Sequence, residues 1–138
     1  MVSRDSNSVS LTIRCTGADA VHAMVEGAQQ YCLDRGLEPD LGARLVIVVE
    51  ELVANLVEHG GVAADGLIEL VLTQEQGAIA IALSDSGVAF DPRSDDPDAG
   101  IPERGGGAGI DLVKAWAEIV DYQSGNGRNR LLLKMWVS

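Results

Sequence analysis

Basic residues are scarce in this sequence: ten Lys and Arg stand against twenty-one Asp and Glu, a formal net charge of −11 over 138 residues. A surface of that sign repels a phosphate backbone and no Lys/Arg cluster offsets it, which argues against nucleic acid as a direct partner and for a basic protein surface. Cysteine is nearly absent as well. Cys15 and Cys32 have no CxxC or Cys/His spacing around them, so both are read as buried thiols and neither as part of a disulfide framework or zinc site. Long apolar runs are also missing: none approaches the roughly 18 residues that cross a bilayer. The start, Met1-Val2-Ser3-Arg4-Asp5, has no apolar signal core, so a cytoplasmic protein with no membrane contact is the expectation. Aromatics make up only 4% of the chain, and Leu, Val, Ile and Ala must therefore fill the core. Proline is rare, and three of the four, Pro92, Pro97 and Pro102, fall in one stretch.

A chain of this length has room for one domain with a single core, expected here over residues 1–138. From Ser8 to Arg14, Val9, Leu11 and Ile13 alternate with polar residues, the period-2 pattern of a half-buried strand. Ala18 to Arg35 carries Val21, Met24, Val25, Ala28, Tyr31 and Cys32 at helical spacing and is closed by Gly36. Pro39 and Asp40 open a second helix, which runs to Glu58 and stops at Gly60-Gly61. Leu67–Thr73 and Ala78–Leu83 read as antiparallel strands joined through Gln74-Glu75-Gln76-Gly77. Between Asp85 and Gly107 the composition turns to Gly, Pro, Asp and Ser, which excludes a regular element and reads as a lid whose Asp95, Asp96 and Asp98 are solvated. A helix over Ile110–Trp116, a strand over Glu118–Gln123, a turn at Ser124-Gly125-Asn126-Gly127 and a strand over Leu131–Val137 complete the chain. The order βααββ, lid, αββ implies an α+β two-layer sandwich, with a mixed, mostly antiparallel sheet and helices on one face.

Three places can carry chemistry. On the second helix Leu41, Leu45, Val48, Leu52 and Leu56 form one stripe, and Glu51, Asn55 and His59 follow its margin at one-turn spacing. A carboxylate and an amide oxygen at i,i+4 can converge on one ion, and Mg²⁺ takes hard oxygen ligands of this kind; the same residues also suit the boundary of an amphipathic helix. Asp85-Ser86-Gly87-Val88-Ala89-Phe90-Asp91-Pro92 begins where a strand ends. Asp85 there can accept a hydrogen bond from an exocyclic amine such as that of adenine, with Gly87 allowing a planar ligand close; it is equally a turn sequence. Gly105-Gly106-Gly107-Ala108-Gly109 leads into the helix at Ile110, so unhindered N–H groups and a positive helix end face the lid, as a phosphate cradle or as a hinge. Arg104 just before it can pair with a phosphate. The loop lacks the Lys-Ser/Thr of a Walker A motif and does not follow a strand, so the P-loop and Rossmann readings do not fit.

Taken together, these stretches resemble the GHKL (Bergerat-fold) ATPases, in the form of the anti-sigma-factor serine/threonine kinases. Glu51-Leu-Val-Ala-Asn55-Leu-Val-Glu-His59-Gly60 is similar to the N box, Asp85–Pro92 to the G1 box, and Gly107-Ala-Gly109-Ile110-Asp-Leu112-Val113 to the G2 box. The resemblance covers essentially the whole chain. It implies ATP and Mg²⁺ as cofactors, Glu51 as general base, Asn55 as Mg²⁺ ligand and Asp85 as adenine anchor. Gly107 and Gly109 would touch the triphosphate, with His59, Gly87, Phe90, Arg104, Gly105, Gly106, Ala108 and Ile110 as further binding positions. The implied partners are a STAS-type anti-sigma-factor antagonist, which is phosphorylated, a sigma factor, which is sequestered, and a second copy of the chain. A catalytically silent ATP-binding interaction module is the alternative. The sequence departs from the pattern in its last strand: Arg130-Leu131-Leu132-Leu133 lacks the threonine that many members place beside the adenine-binding aspartate.

Overall fold

The computed structural model describes residues 2–6, 10–87 and 106–137, with the backbone alone at 5–6 and 106–110. In chain order the elements are β1 (Ser3–Ser6), β2 (Ser10–Thr16), α1 (Ala20–Arg35), α2 (Pro39–His59), β3 (Leu67–Glu75), β4 (Ala78–Asp85), α3 (Gly106–Trp116), β5 (Glu118–Gly125) and β6 (Arg128–Trp136). The strands form one sheet in the order β1-β2-β3-β4-β6-β5, and every neighbouring pair is antiparallel. This is the two-layer α+β sandwich that the element order implies.

Alternation along the central strands decides which face is covered. Leu11, Ile13 and Cys15 of β2, Ile68, Leu70 and Leu72 of β3, Ile79, Ile81 and Leu83 of β4, and Leu131, Leu133 and Met135 of β6 are all buried in one core. The core is aliphatic, as the low aromatic content requires. On the opposite face polar pairs sit directly across strands: Arg14 donates to Glu69 at 2.7 Å and Ser10 to Thr73 at 3.2 Å. These are half-exposed contacts, each contributing about 1 kcal/mol or less. No helix among the described residues is long and apolar enough to cross a membrane.

Several boundaries differ from the sequence expectation for identifiable reasons. β1, with the sequence Ser-Arg-Asp-Ser, has no apolar alternation to announce it and is held as an edge strand by pairing with β2 alone. Ser8 and Val9, expected in the first strand, lie outside the described residues, as does the lid from 88 to 105. α1 turns a smaller-residue face inward than expected. Ala20, Ala23, Met24, Gly27, Ala28 and Tyr31 are buried, whereas Val21, Val25 and Cys32 are only half-buried. Close packing on β2 accounts for this, since a Cβ at Gly27 would overlap the Cδ1 of Ile13. Cys15 is buried, but Cys32 remains partly exposed; both thiols are free, and burial pushes the pKa of each up.

α3 begins at Gly106, four residues earlier than the expected start at Ile110, so Gly106, Gly107, Ala108 and Gly109 form its first turn. The β5–β6 hairpin turns at Asn126 and Gly127, both at positive φ (55° and 74°), the backbone that an Asn-Gly pair favours. Its strands therefore extend further toward the turn than Gln123 and Leu131.

The junction that positions the rest is where α2 ends. Gly60 caps the helix, its N–H donating to the carbonyls of Asn55 and Leu56, both at 3.0 Å. Its own carbonyl oxygen lies against Gly87 in the turn after β4, close enough that a Cβ at Gly87 would overlap it. The chain between is pinned as well: Gly17 donates to Gly66 O at 2.9 Å and Ala18 to Ala64 O at 3.1 Å. The obstacle at Gly87 is backbone, so Gly87→Ala should destabilise the fold by about 1–3 kcal/mol, the usual range for forced overpacking. Gly125→Ala, where nothing lies within 4 Å, is the control and should be close to neutral in urea unfolding.

Candidate functional site

The 21-residue helix α2 presents three chemistry-bearing side chains along one edge. Its inward face is Gly42, Leu45, Val48, Val49, Leu52 and Val53. Glu51, Asn55 and His59, which follow one another at one-turn spacing, are half-buried at the rim of that face, as the sequence places them. Asn55 is the telling member. Its Oδ1 is fully buried and has no hydrogen-bond partner among the described residues. Leaving a buried acceptor unmet costs about 1–3 kcal/mol, and such groups in folded proteins usually have a reason. A hard cation is one such reason. Asn55 Oδ1, with the Glu51 carboxyl group one turn away, fits Mg²⁺, which commonly takes one or two protein oxygens and completes its shell with water and phosphate. His59 is mostly covered, its side chain 17% exposed, and its Nε2 lies 3.7 Å from a Glu58 carboxyl oxygen.

The second part of the site is the end of β4. Among the described residues Asp85 and Asn129 are the buried polar side chains, 5% and 4% exposed. Asp85 occupies the core-facing position that Ile79, Ile81 and Leu83 hold earlier in the strand. Its Oδ1 accepts two hydrogen bonds, from the Gly87 N–H at 2.7 Å and from Asn129 Nδ2 at 3.0 Å. Both donors are uncharged. The bond from the Gly87 N–H is an Asx-turn contact that closes the end of β4, and the Asn129 amide meets the same oxygen from the neighbouring strand.

The two parts meet through the glycine junction. Gly87 requires its missing side chain because the α2 cap approaches it, a different reason from the planar ligand that the sequence suggested. At 1.5 Å rise per residue, Asn55 lies about 7–8 Å along the helix axis from Gly60, and Glu51 about 13 Å. From the turn after β4 back along α2, Asp85, Asn55 and Glu51 are thus encountered in that order.

The third part is the start of α3. With Gly106 as its first residue, the backbone N–H groups of Gly106, Gly107 and Ala108 are among those that have no partner within the helix. The donors expected of a glycine loop are thereby retained at a helix end. For Ala108 and Ile110 only the backbone is described, and Phe90, Arg104 and Gly105 lie outside the described residues.

The sequence pattern does not mark Asn129. It stands directly opposite Asp85 across β4 and β6, and opposite Ser124 across β5 and β6. Asn129 lies in the short stretch between the expected turn, Ser124–Gly127, and the expected last strand, Leu131–Val137; a strand start at Arg128 brings it into register with Asp85.

The six-stranded antiparallel sheet with its helices defines a two-layer α+β sandwich, consistent with the fold of GHKL-type ATPases. A solved chain of the SiaB-SiaC complex from Pseudomonas aeruginosa is similar in fold, with a TM-score of 0.52 at 13% identity, covering 90% of this chain and 89% of that one. The profile of the histidine kinase-like ATPase domain matches residues 16–135, and the chain belongs to that family. No curated protein matches it.

Asn55→Leu tests the unmet acceptor without any ligand. Replacing the amide by an apolar group of similar shape should leave the stability of the nucleotide-free protein unchanged or raise it by about 1 kcal/mol, as read by urea unfolding. A loss above about 2 kcal/mol would show that Asn55 is structurally satisfied.

Proposed function

We propose that this chain is an Mg·ATP-dependent protein serine/threonine kinase that phosphorylates an anti-sigma-factor antagonist of the STAS type and sequesters a sigma factor when that antagonist is unavailable. Family membership implies the ATP site. The observation that carries the reading further is the buried, unmet Asn55 Oδ1 with Glu51 one turn away on the same helix edge. Mg²⁺, when bound, holds the phosphates and offsets their charge.

Each residue then has a separable task. Asp85 accepts the exocyclic amine of adenine. Asn55 provides an ion ligand, and the N–H groups at the start of α3, with Arg104 and His59, contact phosphate. Glu51 takes the proton of the attacking serine or threonine hydroxyl as its oxygen bonds to the γ-phosphorus and the bridge to the β-phosphate breaks, releasing ADP. Phosphoryl transfer needs mainly positioning and charge neutralisation, which this set supplies. The similar Pseudomonas aeruginosa chain belongs to a SiaB-SiaC complex, which supports an assembly with a second protein here too. The net charge of −11 favours a partner with a basic surface.

Glu51→Gln is the test. It keeps size and polarity but removes the base, so Mg·ATP binding by calorimetry should stay within about threefold while transfer of labelled phosphate to a candidate antagonist falls by about a hundredfold or more. Transfer at the wild-type rate would remove Glu51 from the mechanism. ATP binding with no transfer by the wild-type chain to any antagonist would favour the silent interaction module.

A further inference from the structure

Asp85, Asn129 and Ser124 form one row across β4, β6 and β5, each directly opposite the next. The hydrogen bonds along this row run in one direction. Ser124 Oγ donates to Asn129 Oδ1 at 2.7 Å, and Asn129 Nδ2 donates to Asp85 Oδ1 at 3.0 Å and to the Gly87 carbonyl at 2.9 Å. The amide orientation is chemically forced, because Asp85 Oδ1 and Gly87 O are both acceptors and only an NH₂ group can face the two together. Both amide hydrogens are consumed by protein. Asp85 Oδ1 is doubly occupied, by Asn129 and by the Gly87 N–H. Among the described residues nothing donates to Asp85 Oδ2.

We infer that Asn129, held by Ser124, is a positioning residue that commits one oxygen of Asp85 to the protein and leaves Oδ2 as the single acceptor that reads the base. This rests on the nucleotide-binding reading above. A threonine at this place would keep a rotatable hydroxyl able to donate to, or accept from, a ligand. Asn129 has no donor left to offer, so discrimination falls on Asp85 alone. A 6-aminopurine presents an N–H to Oδ2, whereas a 6-ketopurine presents an acceptor to an acceptor. Loss of the Asn129 tether leaves the Asp85 carboxyl group held by the Gly87 N–H alone, and the choice between amine and ketone should weaken more than nucleotide affinity itself.

The experiment compares ATP with ITP, which differ at the 6-position in exactly this sense of amine against ketone, by Mg²⁺-containing calorimetry on the full chain and on Asn129→Ala, Ser124→Ala and Ser124→Thr. Wild type should prefer ATP. Asn129→Ala should narrow the ATP:ITP ratio by about tenfold, the worth of one hydrogen-bonded contact of about 1.4 kcal/mol. Ser124→Ala should narrow it in the same direction by less, and Ser124→Thr, which keeps the hydroxyl, should restore it. Ser124 is exposed, so its variants remain informative even if Asn129→Ala does not fold. An unchanged ratio in both alanine variants overturns the positioning role and leaves the nucleotide site standing. A wild-type chain that binds neither nucleotide overturns the nucleotide reading, and this inference with it.

Discussion

The approach of Gly60 to Gly87 is the constraint on which the site depends. α2 belongs to the helix layer and β4 to the sheet: one carries an amide oxygen without a partner among the described residues, the other a buried aspartate held by neutral donors. Two residues without side chains let the end of the helix rest on the turn that follows the strand. The helix cap then serves twice, since the N–H of Gly60 closes α2 while its carbonyl meets Gly87. The loop from 61 to 66 is tied to the β2–α1 connection, so the junction is held from three sides.

The same arrangement concentrates the unfavourable terms of the fold in one region. Elsewhere the core is aliphatic and its polar groups are paired at the surface, as with Arg14 and Glu69. Near the junction the protein buries a carboxyl group, an amide and an acceptor that has no partner among the described residues. Such groups are costly unless hydrogen-bonded, and Asp85 and Asn129 meet this cost through each other, Gly87 and Ser124.

Most of the architecture was legible because long periodic segments announce themselves. α2, with its proline start and glycine stop, and the β3–β4 hairpin came directly from pattern. β1 was not legible, because Ser-Arg-Asp-Ser carries no hydrophobic alternation and is held by pairing alone. The inward face of α1 differs in part from the apolar residues at helical spacing, because close packing on Ile13 selects Gly27 and alanines. The start of α3 was set too late because glycine is a poor helix former in isolation, yet Gly106–Gly109 form its first turn. The placement of Glu51, Asn55 and His59 along one edge of α2, and of Asp85 at the end of a strand, could be read from spacing. Asn129 could not, because its meaning lies in a cross-strand register fixed by the Asn126-Gly127 turn.

The most direct measurement of whether these parts form one nucleotide site is the thermal unfolding midpoint of the full chain with ATP, ADP and GTP, each with and without Mg²⁺. A ligand at about 100 times its Kd adds roughly 2.7 kcal/mol, ample for a clear shift in a domain of this size. The account predicts that ATP raises the midpoint, that Mg²⁺ increases the effect, and that GTP leaves it where it was. A midpoint indifferent to all three nucleotides would contradict it, and the buried Asp85 and Asn55 would then need another ligand to explain them.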